Sequence, residues 1–132
     1  MLAVLCLVHA ALAAPSTRLV PEPAPDPSVF AHTYLVIVGT EHDAVDLVPA
    51  SAQLPMQVEP VLLTSTAFDG LVPCWQILVA KAFRSQKDAV AYADRLKREF
   101  HVDSYVRQTG SYVGPRDVCE EPEPVSEDEG GC

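Results

Sequence analysis

The amino-acid sequence predicts an α+β domain with the ferredoxin-like order βαββαβ, a four-stranded antiparallel sheet carrying two helices on one face. Three observations carry that expectation: an internal repeat, a strand-like run on either side of each copy, and a length that allows a single core. The repeat lays Thr40-Glu41-His42-Asp43-Ala44-Val45 on Ser85-Gln86-Lys87-Asp88-Ala89-Val90, an offset of 45 positions. Self-similarity at such a spacing is the mark of a duplicated supersecondary unit. Two βαβ halves with right-handed crossovers interleave most economically into one antiparallel sheet, with both helices on the same side.

Each copy opens with a hydroxyl residue followed three positions later by Asp, close to a capping box. There the hydroxyl accepts an otherwise unpaired backbone N–H, and the acid favours the positive end of the helix dipole. Both copies are therefore expected to start helices. Tyr34 to Val38 and Trp75 to Ala80 precede them as strands, and Val58 to Thr64 and Val102 to Gln108 follow. These runs are rich in β-branched and aromatic residues. The second helix is the better formed, because Ala89, Tyr92, Ala93, Leu96 and Phe100 fall on one stripe with Lys87, Asp94, Arg95, Lys97 and Arg98 largely off it. Pro49 removes a backbone donor inside the first, which is expected to be short or kinked there.

The ends of the chain differ from its middle. At 132 residues, 48% hydrophobic, the chain has room for one core. Residues 1–14 are apolar and read as a secretory signal, with small residues at Ala11 and Ala13 and cleavage expected after Ala13, although no Lys or Arg precedes the run. The run is shorter than the roughly 20 residues of a membrane span. Cys6 follows Leu5 rather than a small residue, which argues against lipidation. The expected organisation is a signal at 1–13, a proline-rich leader at 14–30, the domain at 31–115 and an acidic tail at 116–132. Neither leader nor tail is expected to join the core, and the tail, with seven acids and no base from Asp117 onward, is too polar to pack and disordered by composition.

Formal charge is −9, but acids outnumber bases seven to none between Pro21 and Pro73, while bases outnumber acids eight to four between Lys81 and Arg116. The negative excess argues against nucleic acid as a partner. Export leaves Cys74, Cys119 and Cys132 where disulfides persist. A Cys74–Cys119 bridge is expected to fasten the root of the tail beside the third strand, leaving Cys132 for an intermolecular bond; three unpaired thiols are the alternative. No C-x-x-C occurs and His9, His32, His42 and His101 stand singly, so neither a metal nor a cofactor is expected. Asp43 and Asp88 read as helix-start acids and Ser85 as a cap; no nucleophile with its base is recognisable, and the chain is not expected to be an enzyme.

The run Val79-Ala80-Lys81-Ala82-Phe83-Arg84-Ser85-Gln86-Lys87-Asp88-Ala89, continued by Leu96 and by Val102 to Arg107, resembles the SPOR (sporulation-related repeat) family, with Phe83, Ser85, Ala89 and Leu96 on its pattern. The resemblance spans about residues 33–110 and is clearer in the second half. It implies an exported envelope domain that binds peptidoglycan glycan strands through the sheet face away from the helices, a face expected to be uncovered. Lys81 replaces the family's glycine, and apolar Ile77 and Val79 replace polar strand residues. On that face the candidate binding residues are Trp75, Gln76, Lys81, Tyr105 and Arg107, with Tyr105 and Arg107 on the same side of the last strand. A protein partner in the envelope is the alternative to a glycan, and no membrane span is expected in the mature chain.

Overall fold

A computed structural model describes residues 19–119. The expected export signal, the expected cleavage position after Ala13, and the tail beyond Cys119 with Cys132 lie outside them. Strands β1 (Tyr34–Glu41), β2 (Val61–Thr64), β3 (Gln76–Phe83) and β4 (Tyr105–Gln108) form one antiparallel sheet in the order β2-β3-β1-β4. Helix α1 (Val48–Ala52) lies between β1 and β2, and α2 (Gln86–Phe100) between β3 and β4. This is the ferredoxin-like topology that the repeat predicts.

The two helices differ as their sequences do. Ser85 caps α2, its Oγ accepting from the Asp88 N–H at 3.3 Å. His101 closes it in the left-handed region at φ 56°, where its own N–H reaches the Lys97 carbonyl and the Val102 N–H reaches that of Leu96. In the first half the cap is Asp43, whose carboxylate accepts from the Val45 N–H, and not Thr40, which still belongs to β1. A 3₁₀ turn over Ala44–Leu47 leads into α1, where Pro49 sits in the first turn and its missing donor is not needed. The helix is short, as Pro49 suggests.

Gly39 lets this half close. A Cβ there would stand 2.9 Å from both the Ala50 Cβ and the Leu47 side chain, so β1 and α1 approach more closely than any larger residue allows. Gly39→Ala is therefore expected to lower stability by about 1–3 kcal/mol through overpacking, read as a lower urea midpoint at unchanged slope. An unchanged midpoint would show that α1 can move away without cost.

Side chains alternate between the two sheet faces. Val36, Leu62, Leu78 and Ala80 pack under Leu47, Leu54, Ala89, Leu96 and Val102 on the helix side. The other face carries Leu35, Ile37, Leu63, Ile77 and Val79, and contrary to the sequence-based expectation it is not uncovered: Ala67, Phe68 and Leu71 lie on it, with Phe30 and Tyr112 beside them. Phe68, Leu35 and Val79 are wholly inaccessible to solvent. The physical reason is the apolar content of the β2–β3 connection, Ala67-Phe68 and Leu71, which would cost several kcal/mol if left in water.

The leader and the root of the tail join this second layer. Pro23 bridges Leu62 in parallel and the Ala24 N–H donates to the Leu62 carbonyl at 3.1 Å, covering part of the outer edge of β2. Asp26 caps a 3₁₀ turn over Pro27–Phe30, which carries Phe30 onto the sheet. Thr109 ties these pieces together from a fully buried position. Its hydroxyl accepts from the Thr33 N–H at 3.0 Å and donates to the Phe30 carbonyl at 2.8 Å, and its own carbonyl accepts from the Gly70 N–H at 2.8 Å. Gly70 is required there, because a Cβ would lie 2.6 Å from the Thr109 oxygen.

Candidate functional site

A groove of about 460 Å³ remains on the second sheet face, between β4 and the β2–β3 connection. Its floor is Ile37 and Ile77, with Thr40 at one end. Tyr105 and Arg107 stand on one side because they pair with Ile37 and Leu35, and cross-strand partners share a face. Ser65, Gly70, Leu71, Val72 and Trp75 complete the lining.

Trp75 is held from several directions. Its N–H donates to the Ser65 Oγ at 2.9 Å, while its carbonyl accepts from the Ser65 N–H at 2.9 Å. The His42 ring stacks on the indole with centroids 3.8 Å apart and planes 19° from parallel. His42 is fixed in turn by a 3.0 Å hydrogen bond between its Nδ1 and the Cys74 carbonyl. Opposite, the Tyr105 hydroxyl is hydrogen-bonded to the Thr40 hydroxyl, and the Arg107 guanidinium lies 5.0 Å from the Tyr105 ring centroid. This stack and a 3.0 Å bond from the Arg107 Nη1 to the Val106 carbonyl orient the guanidinium, and its remaining N–H groups are left for a ligand.

Cys74 and Cys119 are bonded, with Cα atoms 5.4 Å apart, so the segment after β4 does run back along the sheet. The Thr66 hydroxyl accepts from the Cys74 N–H at 2.8 Å and also contacts the Cys119 sulfur at 3.2 Å. Cys74 itself has φ 76°, a left-handed conformation rarely taken by residues other than glycine. The bridge and Thr66 thus hold the residue that precedes Trp75.

Three of the five candidates from the sequence, Trp75, Tyr105 and Arg107, meet in this groove. Gln76 and Lys81 do not. Gln76 follows Trp75, and successive strand residues face opposite ways; its side chain meets the Thr64 hydroxyl at 3.4 Å beside a separate hollow. Lys81 would share the Trp75 face in a regular strand, but Val36 pairs with Lys81 and Ile37 with Val79, so Ala80 is left over as a bulge. The bulge shifts the alternation, and Lys81 turns to the helix side with Nζ 5.3 Å from the Phe83 centroid and 5.6 Å from that of Tyr92. Burial pushes the Tyr92 hydroxyl above its ordinary pKa, with Arg95 opposing.

Thr40 and Ser65, which line the groove, and His42, which stacks on Trp75 without lining it, are the residues that sequence reasoning missed. The pairing of Glu41 with Gln76 brings His42 alongside Trp75, so the signal lay in the β1–β3 register rather than in any local motif.

The groove contains hydroxyls, one guanidinium and two aromatic rings, and among the described residues no carboxylate lines it. Among the described residues, no group of three His, Cys, Asp or Glu side chains is placed to hold a metal ion, and no helix is long and apolar enough to cross a membrane. The class that fold and groove define is a ferredoxin-like α+β domain with an aromatic-walled groove on the sheet face opposite its helices. Comparison with protein-family models, with curated proteins and with solved structures gave no match.

Proposed function

We propose that the chain is an exported envelope-binding module without catalytic activity, and that the groove between Trp75 and Tyr105 holds a glycan strand of peptidoglycan. The observation that carries this reading is the pair of rings about an apolar floor, with Arg107, Thr40 and Ser65 close by. Sugar rings present apolar faces that pack on aromatic side chains, and hydroxyls that exchange hydrogen bonds with guanidinium and hydroxyl groups. The resemblance of Val79 to Ala89 to SPOR domains supports the same reading. It also agrees with an extracytoplasmic setting, where the Cys74–Cys119 bridge would persist.

The test is retention of the oxidised protein on purified sacculi. Y105A and R107Q are expected to lower the affinity about tenfold or more, each removing a contact of roughly 1–2 kcal/mol, whereas K81A, outside the groove, is expected to bind as the parent does. No retention of the parent, or equal retention by Y105A, R107Q and K81A, would remove the glycan reading. A protein partner is the second reading, favoured by Val72, which is 73% exposed at the edge of the groove beside Leu71. Its mark is a complex of defined stoichiometry formed without sacculi and weakened by Val72→Asp.

A further inference from the structure

A second groove, of about 440 Å³, lies outside the proposed glycan site and is lined by both cysteines of the Cys74–Cys119 bridge, with Thr66, His42 and Arg116. Cys119 is exposed and Cys74 partly so, which leaves the bond open to a small reagent. Among the described residues no Asp or Glu lines the groove, and Arg116 supplies a permanent positive charge. Its Nε donates to the Thr66 carbonyl at 2.9 Å, which fixes the guanidinium there. A thiolate is therefore attracted by the wall of the groove rather than repelled.

The two sulfurs of the bridge are not equivalent. The Thr66 hydroxyl accepts from the Cys74 N–H at 2.8 Å and stands 3.2 Å from the Cys119 sulfur. A disulfide sulfur carries no hydrogen, so in the second contact Thr66 donates and Cys119 accepts. Thr66 is only 3% exposed, and its carbonyl is engaged by Arg116, so this donor is held in place. The Cys74 sulfur instead faces the Val118 carbonyl oxygen at 3.8 Å, which would repel a negative charge. In thiol exchange the sulfur attacked is the one whose partner leaves more readily as a thiolate. Here the charge is stabilised on Cys119 and opposed on Cys74. Cys74 also holds φ 76°, a conformation that costs a non-glycine residue free energy and favours opening at this position.

We propose that the bridge is an exchange site for small thiols, with Cys74 as the sulfur attacked and Cys119 as the leaving group. The incoming thiolate forms an S–S bond to the Cys74 sulfur as the Cys74–Cys119 bond breaks. The electron pair passes to Cys119, which leaves as a thiolate hydrogen-bonded to Thr66. One thiolate and one disulfide become another thiolate and another disulfide, so no oxidant or reductant is consumed. Cys74 is then the modified residue, and attack by the released Cys119 on the mixed disulfide reverses the step. The site stands apart from the glycan reading and does not depend on it.

The full oxidised chain, with any free thiols first blocked by iodoacetamide, is pulsed with 2-mercaptoethanol and quenched with excess N-ethylmaleimide. Peptide mass spectrometry then locates the mercaptoethanol adduct and the maleimide. The adduct is expected on Cys74 and the maleimide on Cys119, in about tenfold or greater excess over the reverse arrangement. Thr66→Val should abolish most of that preference and slow the exchange about tenfold, whereas Thr66→Ser, which keeps a hydroxyl, should retain both. A variant that merely loosened the fold would expose the bond and speed the exchange. An adduct mainly on Cys119, an even distribution in the parent, or faster exchange with unchanged preference in Thr66→Val would each overturn the proposal. So would a bridge that stays closed at a thiol concentration that opens oxidised glutathione.

Discussion

Replacing Phe68 by alanine is expected to lower stability by about 3–5 kcal/mol, among the largest effects of any single substitution in this chain. Phe68 is fully buried in the layer over the second sheet face, among Leu35, Ile37, Leu63, Ile77 and Val79. Its ring meets Tyr112 edge-on at 5.6 Å, and its backbone bridges Tyr112 in an antiparallel pair. It also organises the connection that carries it: its N–H donates to the Ser65 carbonyl and its carbonyl accepts from the Leu71 N–H. Alanine would retain those backbone bonds but remove the ring that seats the connection on the sheet. Leu71, Val72 and Trp75 would then lose their fixed distance from Tyr105, so the groove should widen as stability falls. Urea unfolding gives the first quantity. The emission of Trp75, the sole tryptophan, gives the second and should move to the red in the folded variant. A loss below about 1 kcal/mol would mean that the second layer contributes little and that the sheet is stabilised from the helix side alone.

The topology could be read from the sequence because each half announces itself locally. The Ser85 cap and the stripe from Ala89 to Phe100 are sufficient for α2, and apolar runs on either side of each helix fix the strand count. What could not be read is what covers the second face. Leu35, Leu63 and Ile77 announce two buried faces as runs without polar alternation, yet the residues that bury them come from the leader, the β2–β3 connection and the chain after β4. Their contacts link positions far apart in sequence, such as Phe30 with Thr109 and Ala67 with Val113. No local period reports such pairings.

The groove was legible to the same extent. Alternation along β4 places Tyr105 and Arg107 together, and Trp75 enters β3 on the face that Ile77 shares. Lys81 fails for a reason alternation cannot foresee, since one unpaired residue at Ala80 exchanges the faces beyond it. The bulge on β3 is answered on β1, where Ile37 pairs with Val79 and Gly39 with Leu78, passing over Val38. Val38 and Gly39 thus both turn toward the helices, Val38 into the helix-side core and Gly39 against α1. Thr40 is returned to the groove side, where it meets Tyr105. The two irregularities together decide which polar residues reach the site.

Reduction of the Cys74–Cys119 bridge is expected to remove roughly 4 kcal/mol of stability and to lower the melting temperature by about 10 °C or more. The bond joins residues 45 positions apart, and cutting a loop of that size restores to the unfolded chain the conformational freedom that the cross-link had withdrawn. In the folded state the effect is local. Val113 stays bonded to the Ala67 carbonyl and Arg116 to that of Thr66, but the chain beyond Arg116 loses its covalent anchor. Cys74 is then held in its left-handed conformation chiefly by the Thr66 hydroxyl. The His42–Trp75 stack, fixed through the Cys74 carbonyl, should loosen with it, so the proposed glycan binding is expected to weaken in parallel with stability. Thermal unfolding of the parent with and without a dithiol reductant, beside the C74S/C119S variant, measures this. Reduced parent and variant should melt together, well below the oxidised protein. Removing residues 120–132 leaves the bridge intact and should shift the midpoint far less. Oxidised and reduced proteins melting within about 2 °C of each other would show that the unfolded chain gains little freedom on reduction, or that native strain at Cys74 cancels the gain.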